Sequence, residues 1–178
     1  MNRYVLSLST HGLPVLADEF GFNKTDSDAR IRGNLWASLC AGAAGTGTGT
    51  DLKAFQRFLA QSRIPFQRMV PSNGLVQGGG ASRFCLTECG HHYLVYSTRG
   101  GFTLNVNGTG LSGRWFNPRY PNVALGTSFP VSAGTPIFTP PETTQDWVLW
   151  VTDGSNLISG ITHPSPGATI SQIVVGPG

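Results

Sequence analysis

The feature that most constrains the fold of this chain is a change of hydrophobic period near residue 78. Before it, two strand-like or small-residue runs alternate with two stretches of helical spacing, in the order strand, helix, strand, helix. These segments are 13–17, 31–43, 45–50 and 52–64. Beyond Gly78 the apolar residues recur with period two between Gly, Pro and Asn turns, a pattern typical of antiparallel strands. We therefore predict an α+β protein in two parts.

The second part contains six short predicted strands, whose number and spacing favour a small antiparallel β-sandwich. They are 83–88, 93–98, 102–107, 113–117, 135–139 and 147–152. The first part is half of a doubly wound unit or the last quarter of a (β/α)8 barrel. The predicted boundaries are 1–77 for the first part, with a linker over 69–74, then 78–153 for the sandwich and 154–178 for a tail rich in Gly, Ser and Pro.

Two carboxylates directly follow the first apolar run, Leu13–Ala17. If that run is a buried parallel strand, Asp18 and Glu19 stand at its carboxyl end, where barrel enzymes place their catalytic groups. Gly21 would let the backbone turn away beneath a substrate. A carboxylate here is a candidate nucleophile or general base, and a carboxylate that only caps the following loop is the alternative interpretation.

Composition excludes two classes of partner. The chain has 178 residues, and its net charge of +3 arises from 12 basic and 9 acidic residues. Because the arginines are scattered, we expect no nucleic-acid partner. The sequence has no run close to the roughly 20 apolar residues of a membrane helix, so we expect no membrane partner. Residues 1–10 do not form a convincing signal peptide. The low charge is common in secreted bacterial proteins, and we expect an extracellular full-length protein whose export signal lies upstream.

A group of cysteines and histidines superficially suggests a metal site: Cys85, Cys89, His91 and His92. Gly90 lies within this group, and the better interpretation is a turn that joins two strands. We therefore predict no metal and no cofactor. Cys40 is the third cysteine, so at least one thiol is unpaired.

Six segments, taken in order, resemble the C-terminal part of secreted, cellulase-like glycoside hydrolases with a (β/α)8 barrel and an appended collagen-binding-type β-sandwich. They are PVLADEFGF (Pro14–Phe22), RGNLWASLCAGAAG (Arg32–Gly45), FLAQSRIPFQRMVPSNGLV (Phe58–Val76), YLVYSTRGG (Tyr93–Gly101), WFNPR (Trp115–Arg119) and DWVLWV (Asp146–Val151). The resemblance implies hydrolysis of O-glycosidic bonds by a retaining mechanism. Leu13–Ala17 would be the seventh barrel strand and Glu19 the nucleophile.

The same resemblance implies that six barrel strands, and the acid/base carboxylate among them, belong to an N-terminal portion outside this chain. That missing portion is then a required partner, a polysaccharide or oligosaccharide is the substrate, and the isolated chain is expected to be inactive. The alternative is a non-catalytic carbohydrate- or protein-binding β-sandwich module.

The aromatic residues of the sandwich are candidates for sugar contacts, because a flat ring matches the apolar face of a sugar. Trp115 and Trp150 are the candidate substrate-binding residues, with core packing as the alternative. Trp147 and Trp150 have opposite parity on one strand, so at least one of them must face the core. Trp36 lies on the apolar side of its helix and is expected in the core.

Overall fold

In a computed structural model, which describes residues 1–11, 14–17, 27–46, 52–80 and 82–158, the chain is a mixed α+β protein with mostly antiparallel sheets. Three α-helices and two short strands form its first part in these residues. They are α1 (Asn2–Ser9), β1 (Leu16–Ala17), α2 (Asp28–Leu39), β2 (Gly45–Thr46) and α3 (Leu52–Ser62). None of these helices is long and apolar enough to cross a bilayer.

Within the described residues, nine further strands follow α3, with short 3-10 turns at Phe66–Arg68 and Asn73–Leu75. They are β3 (Val70–Pro71), β4 (Val76–Gly78), β5 (Arg83–Glu88), β6 (His92–Ser97), β7 (Phe102–Leu104), β8 (Leu111–Phe116), β9 (Phe129–Val131), β10 (Ile137–Phe138) and β11 (Trp147–Thr152). They form an antiparallel six-stranded sheet in the order β3-β5-β6-β11-β8-β9 and a three-stranded sheet in the order β10-β7-β4. Strands β1 and β2 pair in parallel.

The six-stranded sheet is buried on both faces. One face carries Leu86, Leu94, Tyr96, Phe116, Val148 and Trp150, which pack with residues of the three helices in a single apolar core. The other face carries Cys85, Tyr93, Val95, Leu111, Leu149 and Val151, which pack against the three-stranded sheet. All six residues of β6 are therefore buried. Its middle four residues, Tyr93–Tyr96, form an apolar and aromatic run with no polar alternation, as in a strand of a parallel sheet.

Trp36 of α2 packs against both helix α3 and the six-stranded sheet, as expected of a core residue. Its indole is 1% exposed and stacks on the ring of Tyr96 in β6, with centroids 6.1 Å apart. Phe55 and Phe58 of α3 each meet it edge-on at 5.1 Å. Each such aromatic pair adds about 0.5–1.5 kcal/mol beyond the burial of its area. The predicted parts 1–77 and 78–153 thus share one core across their boundary.

Several elements differ from the sequence-based expectation. Helix α1 was not predicted; it is docked by Asn2, whose Nδ2 donates to the Ala37 carbonyl at 2.9 Å and whose Oδ1 accepts from Asn73 Nδ2 at 2.9 Å. The expected linker over 69–74 contains β3, which pairs with β5. Strands β4 and β9 were also missed.

The outer strands of the six-stranded sheet share one feature. Strand β3 contains Pro71 and strand β9 contains Pro130. Proline has no N–H to donate, which is why it is confined to edges and bulges of sheets.

Candidate functional site

The carboxyl ends of the parallel strands β1 and β2 form the candidate catalytic edge. Leu16 is opposite Gly45 and Ala17 is opposite Thr46. A Cβ built on Gly45 would lie 2.8 Å from Leu16 Cδ2, so the Leu16 side chain occupies the space beside Gly45. The structure thus has a strand at the start of the predicted small-residue run 45–50, at Gly45–Thr46. Asp18 and Glu19, which follow β1, lie outside the described residues, as do residues 47–51 after β2.

Helix α2 is the crossover between these strands, and its start bounds the segment that carries the carboxylates. The Ser27 side chain accepts a hydrogen bond from the backbone N–H of Arg30 at 3.3 Å, which caps the helix. Asp28 adds a negative charge in the first turn, where the helix dipole favours it.

A buried ion pair fastens α2 to the six-stranded sheet. Arg32 Nε donates to Asp146 Oδ2 at 2.6 Å and Arg32 Nη2 donates to Asp146 Oδ1 at 3.1 Å. The Tyr96 hydroxyl donates to the same carboxylate at 3.0 Å. Burial, together with the neighbouring Asp146 carboxylate, raises the pKa of Tyr96 well above its ordinary value, so the phenol stays a donor. The sequence analysis missed Asp146 as a partner of Arg32, because the two residues are 114 positions apart.

The two predicted sugar-stacking residues lie in different environments. Trp150 is 2% exposed in the core beneath the helices and stacks on His92 with centroids 5.2 Å apart. A ring in this position presents no face to a ligand. Trp115 is half-buried and points to the other side of the sheet, where Phe102 and Trp147 meet it edge-on at 6.0 and 6.4 Å. The structure does not bring Trp115 and Trp150 together.

Next to Trp115 lies a group of residues that was only partly anticipated. The Arg119 guanidinium carbon lies 5.4 Å from the centroid of Trp147 and 5.9 Å from that of Tyr120. Arg119 also forms an ion pair with Glu142. Both residues of this pair lie in the predicted sandwich part, 78–153. The sequence signal that could have identified this group is the run Asn117–Tyr120, which places an amide, a guanidinium and an aromatic ring within four residues.

The cysteine and histidine group forms the tip of a hairpin, as expected. Cys89, Gly90 and His91 form the turn between β5 and β6. Burial raises the pKa of the Cys85 thiol to about 12, which leaves it protonated and a poor metal ligand. His92 is held by the Ser155 carbonyl at 2.8 Å and by Thr152 Oγ1 at 3.0 Å. In the described part of the chain, no three side chains of Cys, His, Asp or Glu are gathered in a way that could hold a metal ion.

Neither a family model nor a curated protein matches this sequence. Solved structures do match its fold. A crystal structure of a glycoside hydrolase family 5 protein from Bacteroides vulgatus matches 91% of this chain and 46% of its own, with a TM-score of 0.66 and 15% identity. A structure described as a glycoside hydrolase matches 86% of this chain and 46% of its own, with a TM-score of 0.64 and 16% identity. The chain therefore shares the fold of about half of these proteins and spans less than half of their length.

Proposed function

We propose that this chain is the C-terminal portion of a glycoside-hydrolase-like protein whose full-length form cleaves O-glycosidic bonds by the retaining route. Residues 1–77 would be the end of a (β/α)8 barrel, and 78–153 an antiparallel β-sandwich packed on it. The observation that carries the proposal is the β1–α2–β2 unit, in which a crossover helix joins two parallel strands. In the sequence, Asp18 and Glu19 directly follow β1.

The open edges of β1 and β2 and the exposed side chain of Leu16 support the proposal of a longer barrel. Within the described residues each strand pairs only with the other, so each has one open edge. Leu16 is 67% exposed on the face turned away from the core. Parallel strands are normally buried on both faces. Further strands in a full-length protein would cover both the open edges and Leu16, and the matched glycoside hydrolases are more than twice as long as the part that this chain spans.

The chemistry assigned to Glu19 follows from its place after β1. In a retaining hydrolase one carboxylate attacks the anomeric carbon while a second carboxyl, about 5 Å away, protonates the leaving oxygen. Water then cleaves the glycosyl–enzyme ester with the second group acting as base. Adjacent side chains of an extended strand alternate between its two sides, so we do not expect Asp18 to be the partner of Glu19, and an earlier strand would supply the acid. No metal or cofactor is needed, and the substrate would be an extracellular polysaccharide or oligosaccharide.

The test begins with the coding region upstream of Met1. The proposal expects an open frame that encodes further strand–helix units, one of whose strands ends in an Asn-Glu pair. The extended protein is then assayed on a panel of aryl glycosides and polysaccharides, alongside Glu19→Gln and an Asp18→Asn control. We expect Glu19→Gln to lower kcat by about 1,000-fold or more, since the nucleophile is lost. Asp18→Asn should stay within about tenfold of the parent.

A 2-deoxy-2-fluoro glycoside separates the nucleophile from a residue that only supports the fold. Its slowly hydrolysed ester should be found by mass spectrometry on the peptide that contains Glu19, and on no other. An active extended protein in which Glu19→Gln retains full turnover would refute the assignment. An upstream region that encodes no further strands would refute the hydrolase proposal as a whole.

A further inference from the structure

A second group of residues with ligand-binding chemistry lies at one end of the paired sheets. We name it the Arg119 cluster; it consists of Trp115, Arg119, Tyr120, Glu142 and Trp147. Its centre is the Arg119 guanidinium, which lies within 6 Å of two ring centroids, those of Trp147 and Tyr120. At this separation a cation is attracted to the ring face. The cluster thus combines rings, a donor and an acceptor in one place.

Hydrogen bonds hold the Arg119 side chain in a fixed orientation. Asn117 Oδ1 accepts from Arg119 Nε at 2.9 Å and from the Arg119 backbone N–H at 3.1 Å. Arg119 Nη2 donates to Glu142 Oε2. Because these contacts hold the guanidinium in place, binding would require little further ordering of it, and pre-organisation of this kind favours affinity.

The segment after Tyr120 is fastened to α3, which steadies the cluster from the other side. Arg57 Nε donates to the Val123 carbonyl at 3.1 Å, and Gln61 Oε1 accepts from the Leu125 N–H at 2.9 Å. Leu125 also packs against the core beneath the helices. The connection that contains Tyr120 is therefore held on both sides: by the hydrogen bonds of Arg119 before it, and by these contacts to α3 after it.

The groups of the cluster that face solvent have complementary chemistry. Tyr120 is 58% exposed. The Glu142 side chain is 53% exposed, whereas that of Arg119 is 13% exposed. Beneath them, Trp147 is 9% exposed and its buried Nε1 has no hydrogen-bond partner among the described residues. Buried indole N–H groups are normally partnered, so this donor is a polar group of the cluster that the described residues leave unsatisfied.

We propose that the Arg119 cluster is a saccharide-binding subsite, separate from the candidate catalytic edge and independent of Glu19. A sugar has an apolar C–H face that matches an aromatic ring, and hydroxyl groups that each donate and accept. The Tyr120 ring provides the flat surface. The exposed Glu142 carboxylate accepts from one hydroxyl, and the Arg119 guanidinium donates to its neighbour.

The adjacent acceptor (Glu142) and donor (Arg119) favour a saccharide ligand over a proline-rich or collagen-like peptide, although such peptides also dock on aromatic surfaces. A polyproline helix offers carbonyl acceptors and few donors. It could accept from Arg119, but it brings no donor to the exposed Glu142 carboxylate. An adjacent donor and acceptor match a pair of sugar hydroxyls.

The experiment uses the full chain and four probes: cellohexaose, xylohexaose, mannohexaose and laminarihexaose, each titrated to 5 mM by calorimetry. The variants are Tyr120→Ala and Glu142→Gln, both at exposed side chains whose replacement should leave the fold intact. Tyr4→Ala is the matched control, because Tyr4 is 64% exposed on α1, outside the cluster. We expect at least one hexasaccharide to bind the parent chain. Tyr120→Ala should weaken binding by about tenfold, the loss of one stacking contact, while Tyr4→Ala should bind like the parent.

A second readout locates the ligand independently of the variants. The indole N–H resonance of Trp147, assigned by its loss in Trp147→Phe, should shift during the titration. The proposal is overturned if no hexasaccharide binds at 5 mM, if Tyr4→Ala weakens binding as much as Tyr120→Ala, or if a triple-helical (Pro-Pro-Gly)10 peptide binds and the sugars do not. None of these outcomes bears on Glu19, whose test is turnover and covalent labelling.

Discussion

The buried ion pair between Arg32 and Asp146 gives the sharpest prediction about stability. Both side chains are less than a tenth exposed, and the carboxylate also accepts from the Tyr96 hydroxyl. In Asp146→Asn the shape is kept but the negative charge is lost, so the Arg32 guanidinium loses this counter-charge inside the protein. Removing one partner of a buried pair costs about 3–5 kcal/mol. Domains of this size are stable by about 5–15 kcal/mol, so the loss is a large share of the total.

Equilibrium urea unfolding at pH 7, followed by tryptophan fluorescence, measures this free energy. With a slope near 2 kcal/mol per M, the midpoint should fall by roughly 1.5–2.5 M. Glu142→Gln is the matched control: it removes the carboxylate of another arginine pair, but one whose acid is more than half exposed. Exposed pairs contribute about 0–1 kcal/mol, so its midpoint should hardly move. A loss below about 1 kcal/mol in Asp146→Asn, or equal losses in both variants, would show that the pair does not fasten α2 to the sheet.

Two further predictions concern pH and backbone strain. Burial lowers the pKa of His92 below its ordinary 6.5, so the unfolded chain takes up a proton first as the pH falls. Stability should therefore be highest above pH 6.5 and decline below it. His92→Gln should flatten this decline in urea melts from pH 7.5 to 5.5, and an unchanged decline in that variant would contradict the assignment. Gly108 has a φ of +109°, and a Cβ there would overlap the Gly90 carbonyl oxygen. Gly108→Ala should cost about 2–4 kcal/mol, against about 1 kcal/mol for Gly110→Ala, which has a positive φ but open space around it; equal costs would argue against the overlap.

Elements that are bounded by turn-forming residues were predictable from the sequence. Strands β5 and β11 were predicted with the bounds that the structure has, because the Gly90 turn ends β5 and Pro140-Pro141 precedes β11. Helices α2 and α3 were predicted from their spacing, although both end a few residues earlier than expected. Local sequence patterns are sufficient to predict a helix or strand when the residues that end it lie next to it in the sequence.

Elements that depend on distant partners were not predictable. Helix α1 is eight residues long, shorter than an isolated helix can be stable, and relies on the contacts of Asn2 and Val5. Strand β3 has two residues and exists through its pairing with β5. Neither signal is present in the local sequence, so α1 was overlooked and β3 was assigned to a linker.

The candidate sites show the same limit. The parity argument correctly required at least one of Trp147 and Trp150 to face the core, but both are buried, because parity does not reveal how many layers cover a sheet. Residue type alone could not tell that Arg32 would meet Asp146, or that Arg119 would meet Glu142. Glu19 remains a prediction from sequence, since it lies outside the described residues.

The prolines of the outer strands bear on how this chain behaves at high concentration. An exposed sheet edge is a template for another chain, and proteins rely on charge or on an interrupted hydrogen-bond ladder to block it. Only 12% of this sequence is charged, so electrostatic repulsion between copies is weak. Pro71 and Pro130 interrupt the ladder at both edges of the six-stranded sheet. Resistance to fibre-like aggregation at this sheet therefore rests on backbone chemistry at two positions.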